Sequence, residues 1–255
     1  MTQPHAHFTC LQDAPVLITG GASGIGAALV AGFCAQGARV AFIDIDQTAG
    51  TALSTAFPEA KHPPIFVHAD LSDVGASKAA VQDAAEALGG IQVLVNNAAR
   101  DDRHDADSLS EDEWRASLAV NLDPVMFVTQ AAMPHLIASG RGSVINFSSI
   151  AFLLNMGTVP AYGTAKAAII GLTRTLAGRY GPDNVRVNAL LPGMVVTERQ
   201  RELWLTDDSI NDFIGKQCIK RSLSAEDMVG PCLFLASSAS AAITAQSIVV
   251  DGGVC

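Results

Sequence analysis

The chain has 255 residues, 49% of them hydrophobic and 16% charged, a balance that fills a core and argues against disorder. A net charge of −9 without any basic run excludes nucleic acid and an anionic membrane surface as natural partners. Cys10, Cys34, Cys218, Cys232 and Cys255 form an odd, scattered set without Cys-x-x-Cys, which implies reduced thiols in a cytoplasmic compartment. No segment approaches the roughly 18 continuous apolar residues of a membrane helix. Residues 1–14 lack the basic patch and apolar run of a signal peptide, so no export is expected.

Short apolar runs alternate with longer helical patterns along the chain. A strand over 15–19 meets a glycine-rich turn and a helix over 24–36. A strand over 39–44, a helix over 47–56 and a strand over 65–68 follow, then a helix over 74–88 and a strand over 91–95. One long helical stretch is predicted over 111–137, then a strand over 143–148 and an alanine-rich helix from 161 to about 179. Strands over 185–190 and 247–250 complete the pattern. Continuous Val/Ile/Leu strands alternating with helices predict an α/β fold: a doubly wound, mostly parallel seven-stranded sheet with helices on both faces, in one domain over residues 1–255.

The turn Thr19-Gly20-Gly21-Ala22-Ser23-Gly24-Ile25-Gly26 lies between the first strand and the first helix. Glycine there permits close backbone approach, and a helix N-terminus offers free amides to a pyrophosphate. Gly26 is followed by Ala27-Ala28 rather than Lys-Ser/Thr, so this is no phosphate loop of the nucleotide-hydrolase kind; the residue two after Ser23 is Ile25, so it is no hydrolase elbow. Asp44 ends the second strand about 20 residues on, where a carboxylate binds ribose hydroxyls and repels a 2′-phosphate, which favours NAD over NADP. Alternatively Asp44, or equally Asp46, is an acidic cap on the next helix.

Tyr162 and Lys166 are four apart on the alanine-rich helix, hence on one face, and a nearby ammonium is expected to lower the phenol pKa enough for proton exchange near neutral pH. Ser149, just past the fifth strand, can face the same point. Such a pair also occurs where it only covers a helix surface.

With these residues in hand, the chain resembles the short-chain dehydrogenase/reductase family in its single-domain, Rossmann-type branch, from Thr19 to Gly253. Asp70-Leu71 is similar to the adenine-contacting pair and Asn96-Asn97-Ala98-Ala99 to the motif after the fourth strand, with Ala99 where the family usually has glycine. Asn121, Ser149, Tyr162 and Lys166 match the catalytic four, and residues 192–197 the loop that seats the nicotinamide carboxamide. The resemblance implies Tyr162 as general acid/base, Ser149 (Ser148 being the weaker candidate) as hydrogen-bond partner of the reacting oxygen, and Lys166 on the nicotinamide ribose. It implies that Asn121 holds a water linking Lys166 to solvent; without the other three, Asn121 reads as a helix-bending residue before Pro124. It implies cofactor contacts from Gly20, Ser23, Gly24, Ile25, Gly26, Asp44, Ile45, Asp70, Leu71, Asn97, Ala98, Tyr162, Lys166, Pro192, Gly193, Val195 and Thr197, and a homotetramer.

The substrate is expected from the loops after the strands. Asp101, Arg103, Arg199 and Trp204 offer hydroxyl-binding groups and a face for a sugar ring, although charged loops are often merely solvated. The segments 96–104, 144–147, 197–204 and 217–220 resemble bacterial NAD-dependent aldose 1-dehydrogenases, which implies oxidation of an anomeric hydroxyl to a lactone, with a pentose first. Another secondary alcohol or a 3-oxoacyl substrate is the alternative, and a non-catalytic NAD-binding regulator the alternative of another class. The histidines, His5 included, show no metal-ligand spacing, so no metal is expected. Residues 198–219 are expected to form substrate-loop helices.

Overall fold

The computed structural model describes residues 6–255; His5 and the start of the 1–14 stretch lie outside the described residues. Seven strands form one sheet: β1 (Pro15–Thr19), β2 (Arg39–Asp44), β3 (Ile65–His68), β4 (Val93–Asn96), β5 (Ser143–Phe147), β6 (Arg186–Pro192) and β7 (Ser247–Val250). Their order is β3-β2-β1-β4-β5-β6-β7, and every pairing is parallel. The chain winds outward from β1 to β3, returns to β4 on the other side of β1, and winds outward again. That reversal opens a crevice beyond the C-terminal ends of β1 and β4.

The helices are α1 (Gly24–Ala35), α2 (Gln47–Ser54), α3 (Val74–Leu88), α4 (Glu111–Asn121), α5 (Asp123–Ala138), α6 (Pro160–Tyr180), α7 (Glu198–Leu203), α8 (Asp207–Lys216) and α9 (Val229–Ala236). Alternate strand residues feed two cores, as a period of two requires. Val16 and Ile18 pack with Leu29 and Phe33 of α1 and Leu233 of α9. Leu17 and Leu94 pack with Val81 of α3, Val128 of α5 and Leu176 of α6 on the other face. The central strands β4 and β5 are buried throughout, whereas the edge strands β3 and β7 keep exposed positions.

Two features depart from the sequence reading. The stretch 111–137 is two helices, broken at Leu122 (φ −121°, ψ −50°). Pro124 brings no N–H to the ladder but suits the first turn of α5, and the Val125 N–H goes to the Leu122 carbonyl instead, so the Asn121 carbonyl has no ladder donor. Helix α9 was not predicted: its Val229-Gly-Pro-Cys-Leu-Phe-Leu-Ala run is apolar all round, because it is sunk between α1 and the sheet. Strand limits also move by one or two residues; β4 starts at Val93 rather than Ile91, and β6 runs to Pro192.

Candidate active site

A cleft of about 840 Å³ occupies the crevice at the strand ends. The turn after β1 forms one wall. Gly20 has φ +64°, and a Cβ there would lie 2.7 Å from the Ala98 Cα; a Cβ on Gly26 would lie 1.8 Å from the Gly20 carbonyl oxygen. The turn is stitched to the end of β4: the Thr19 hydroxyl accepts from the N–H groups of Asn97 and Ala98, and Asn97 Nδ2 donates to the Gly20 carbonyl. The first turn of α1 has no acidic residue and no side-chain cap, although its N-cap is Ser23. Helices α2, α3 and α4, by contrast, are capped by Asp46, Asp73 and Ser110. Close-packed glycines beside uncapped amides fit the pyrophosphate of a dinucleotide.

Asp44 lies at the end of β2 with Ile45 on the same cleft wall. One of its oxygens accepts the Ala22 N–H at 2.9 Å and the other the Asp46 N–H at 3.1 Å, so the carboxylate braces the glycine turn. Asp46, not Asp44, caps α2. Asp70 is held below the usual carboxylate range by the Ser72 hydroxyl and N–H, and it lines the cleft with Leu71. Pro192, Gly193, Val195 and Thr197 form the facing wall, where Thr197 caps α7 and lies opposite Gly24.

Tyr162 and Lys166 stand one turn apart on α6 and both reach the cleft with Ser149. The Lys166 ammonium is 5.5 Å from the Tyr162 ring centroid and donates to the Phe147 carbonyl at 2.9 Å. Burial pushes Lys166 down to about 8. Tyr162 is pushed up to about 12, first by burial, with Ser149 pulling down and the Asp101 charge pushing up. Part of the phenol still faces the cleft, which tempers that rise. The expectation that Lys166 lowers the phenol pKa is therefore not met in the protein alone: the cost of burying the phenolate is the largest influence on Tyr162. The Ser148 hydroxyl gives its proton to the Lys166 carbonyl at 2.6 Å, whereas Ser149 is the serine hydrogen-bonded to Tyr162.

Asn121, at the end of α4, brackets the next loop: its Oδ1 accepts the Arg100 N–H and its Nδ2 donates to the Arg100 carbonyl, both at 2.9 Å. Asp101, Arg103 and Arg199 line the cleft. Trp204 does not. The Arg103 guanidinium covers its ring at 4.8 Å, so the face expected to meet a sugar is already taken. Sequence reasoning missed Leu154, Met156, Val159, Leu205 and Phe213, an apolar wall beyond Tyr162, and Gln200, whose amide donates to Asp101 at 2.7 Å. Leu154 and Met156 lie in an irregular segment with no periodicity to reveal them, and Phe213 comes from α8. Ala99, which stands where the family usually has glycine, is exposed and lines the cleft.

A family model described as enoyl-(acyl carrier protein) reductase, of the short-chain dehydrogenase type, matches residues 20–255. The chain is a short-chain dehydrogenase/reductase. As a member of that family it is an oxidoreductase acting on CH–OH groups with a nicotinamide cofactor. It is 57% identical over 255 residues to a protein of Rhizobium meliloti (strain 1021) described as "Probable galactose dehydrogenase GalD", covering 100% of both chains. It is 40% identical over 248 residues to the D-xylose 1-dehydrogenase of Caulobacter vibrioides, covering 97% of this chain and 98% of that one. Among solved structures, the ligand-free aldohexose dehydrogenase of Thermoplasma acidophilum superposes with a TM-score of 0.86 at 29% identity, over 97% of this chain and 96% of the other. No helix of the described residues is long and apolar enough to cross a membrane.

Proposed function

We propose that this dehydrogenase is an NAD-dependent aldose 1-dehydrogenase, which oxidises the anomeric C–OH of a pyranose to the lactone. The observation that carries the reading is that Tyr162 and Ser149 share one cleft with the polar groups Asp101, Arg103, Arg199 and Gln200. The names of the two relatives that cover essentially the whole chain support it. NAD rather than NADP is supported by Asp44, next to Ile45 and Asp46, where a 2′-phosphate would meet two carboxylates and no arginine.

Bound NAD supplies the hydride acceptor. Gly20, Ser23, Gly24, Ile25 and Gly26 would hold its pyrophosphate, Asp44 and Ile45 its adenosine ribose, Asp70 and Leu71 its adenine, and Asn97, Ala98, Pro192, Gly193, Val195 and Thr197 its nicotinamide half. Tyr162 takes the proton of the anomeric hydroxyl while Ser149 holds that oxygen. Lys166, with its pKa lowered to about 8, can carry the proton onward, and the freed Asn121 carbonyl would hold a water on its route to solvent. One proton and one hydride leave the sugar, giving lactone, NADH and H⁺.

NADH absorbance, with NAD and a panel of pentoses and hexoses, tests the reading, with Tyr162→Phe as control. A signal that vanishes in the variant is expected; no signal from any sugar, with NADH still binding, overturns it. The apolar wall of Leu154, Met156, Leu205 and Phe213 favours a second reading, a secondary alcohol with an apolar body, which the same assay separates. Helices 198–203 and 207–216 would cover the substrate. A cytoplasmic homotetramer is proposed as the working form; sedimentation at the monomer mass would refute the assembly.

A further inference from the structure

We propose that Asp101 and Gln200 form one recognition unit that reads the hydroxyl on the carbon next to the reacting one, so that the enzyme requires a vicinal diol. This inference rests on the oxidation site described above and adds its requirement for a neighbouring hydroxyl. Asp101 is held from two sides. The preceding peptide is bracketed by both ends of the Asn121 amide, and the Asp101 Oδ2 accepts from Gln200 Nε2 at 2.7 Å. Gln200 is fixed in turn by α7, whose N-cap Thr197 accepts its backbone N–H. The stack of Arg103 on Trp204 fastens the same loop to the end of α7, and the His104 N–H donates to the Thr158 carbonyl.

Among the described residues, the second Asp101 oxygen and the Gln200 side-chain Oε1 have no hydrogen-bond partner, and both residues line the cleft together with Tyr162 and Ser149. The reacting hydroxyl gives its single proton to Tyr162, so an acceptor pair in the same cleft suits the donor hydroxyl of the neighbouring carbon. Other charged groups that line the cleft are Arg100, paired with Asp102, and Arg103 from the same loop, Lys166 from α6, and Glu198, Arg199 and Glu202 from α7. The Asp101 charge acts on the Tyr162 phenol, where it opposes the phenolate. A substrate hydroxyl donating to Asp101 spreads that charge, so the phenolate form of Tyr162, the form able to take the substrate's proton, is easier to reach. A substrate lacking the hydroxyl leaves a part-buried carboxylate unpaired and the phenolate form of Tyr162 scarce, and both effects slow the reaction.

The test compares the best aldose with its 2-deoxy analogue in wild type, Asp101→Asn and Gln200→Leu. Wild type is expected to lose at least about 100-fold in kcat/KM without the hydroxyl. Asp101→Asn, which can still accept from Gln200, is expected to lose about 10-fold or less on the same comparison. Equal losses in wild type and Asp101→Asn overturn the proposal. A substrate-free arm titrates Tyr162 by NMR of ¹³C-labelled tyrosine, assigned with Tyr180→Phe since the chain has two tyrosines. The Tyr162 titration should move to lower pH in Asp101→Asn, and an unmoved titration overturns the proposal. If no aldose is oxidised, the sugar reading fails alone, and butane-2,3-diol against butan-2-ol replaces the sugar pair with the same criteria.

Discussion

Lys166 gives the sharpest test of how the site is built. It is 2% exposed, and burial lowers its pKa from 10.5 to about 8. At 1.36 kcal/mol per pKa unit, keeping it charged in the fold costs about 3.4 kcal/mol. Lys166→Met removes that cost and also the bond to the Phe147 carbonyl, worth about 1 kcal/mol. At pH 7 the variant should therefore be more stable than wild type by about 2 kcal/mol, while kcat falls at least about 100-fold. The folded pKa lies below the unfolded one, so between about pH 8 and 10.5 the unfolded chain binds more protons, and wild type gains stability as pH rises. The variant cannot gain it, so its advantage should shrink across that window. Urea unfolding followed by circular dichroism, at fixed protein concentration and at pH 7, 8, 9 and 10, measures this. A variant less stable than wild type at pH 7, or a gap that does not change with pH, refutes the reasoning.

Further outcomes follow from single contacts. Gly26→Ala places a methyl carbon 1.8 Å from the Gly20 carbonyl oxygen, so the turn must open; NADH affinity by fluorescence titration should fall at least about 100-fold while the fold's circular dichroism stays. Asp44→Asn keeps an acceptor for the Ala22 N–H but drops the charge, and the ratio of kcat/KM for NADP over NAD should rise about 10-fold. Asn146→Ala breaks a buried chain in which Asn96 Nδ2 donates to Asn146 and Asn146 Nδ2 donates to Thr173 on α6, each at 2.9 Å. That should destabilise by about 2–4 kcal/mol in urea unfolding and leave the sugar preference unchanged.

The order of strands and helices, the parallel sheet and the residues of the cofactor turn were legible in the sequence, because each depends on a local signal. Strand runs are apolar because both faces are covered, glycines stand where backbones must touch, and Tyr162 and Lys166 share a face through helical spacing alone. What hangs on the surroundings was not legible. Helix α9 carries no amphipathic stripe because none of its residues is exposed, and the break at Leu122 shows only once Pro124 and the Asn121 brackets are in place. The partners of exposed-looking side chains were decided across the fold: Trp204 lies under Arg103, and Gln200 meets Asp101 from a helix 99 residues away. Burial likewise set the Tyr162 and Lys166 pKa values in directions that spacing alone could not give, since desolvation is a property of everything packed around a group and not of its neighbours along the chain.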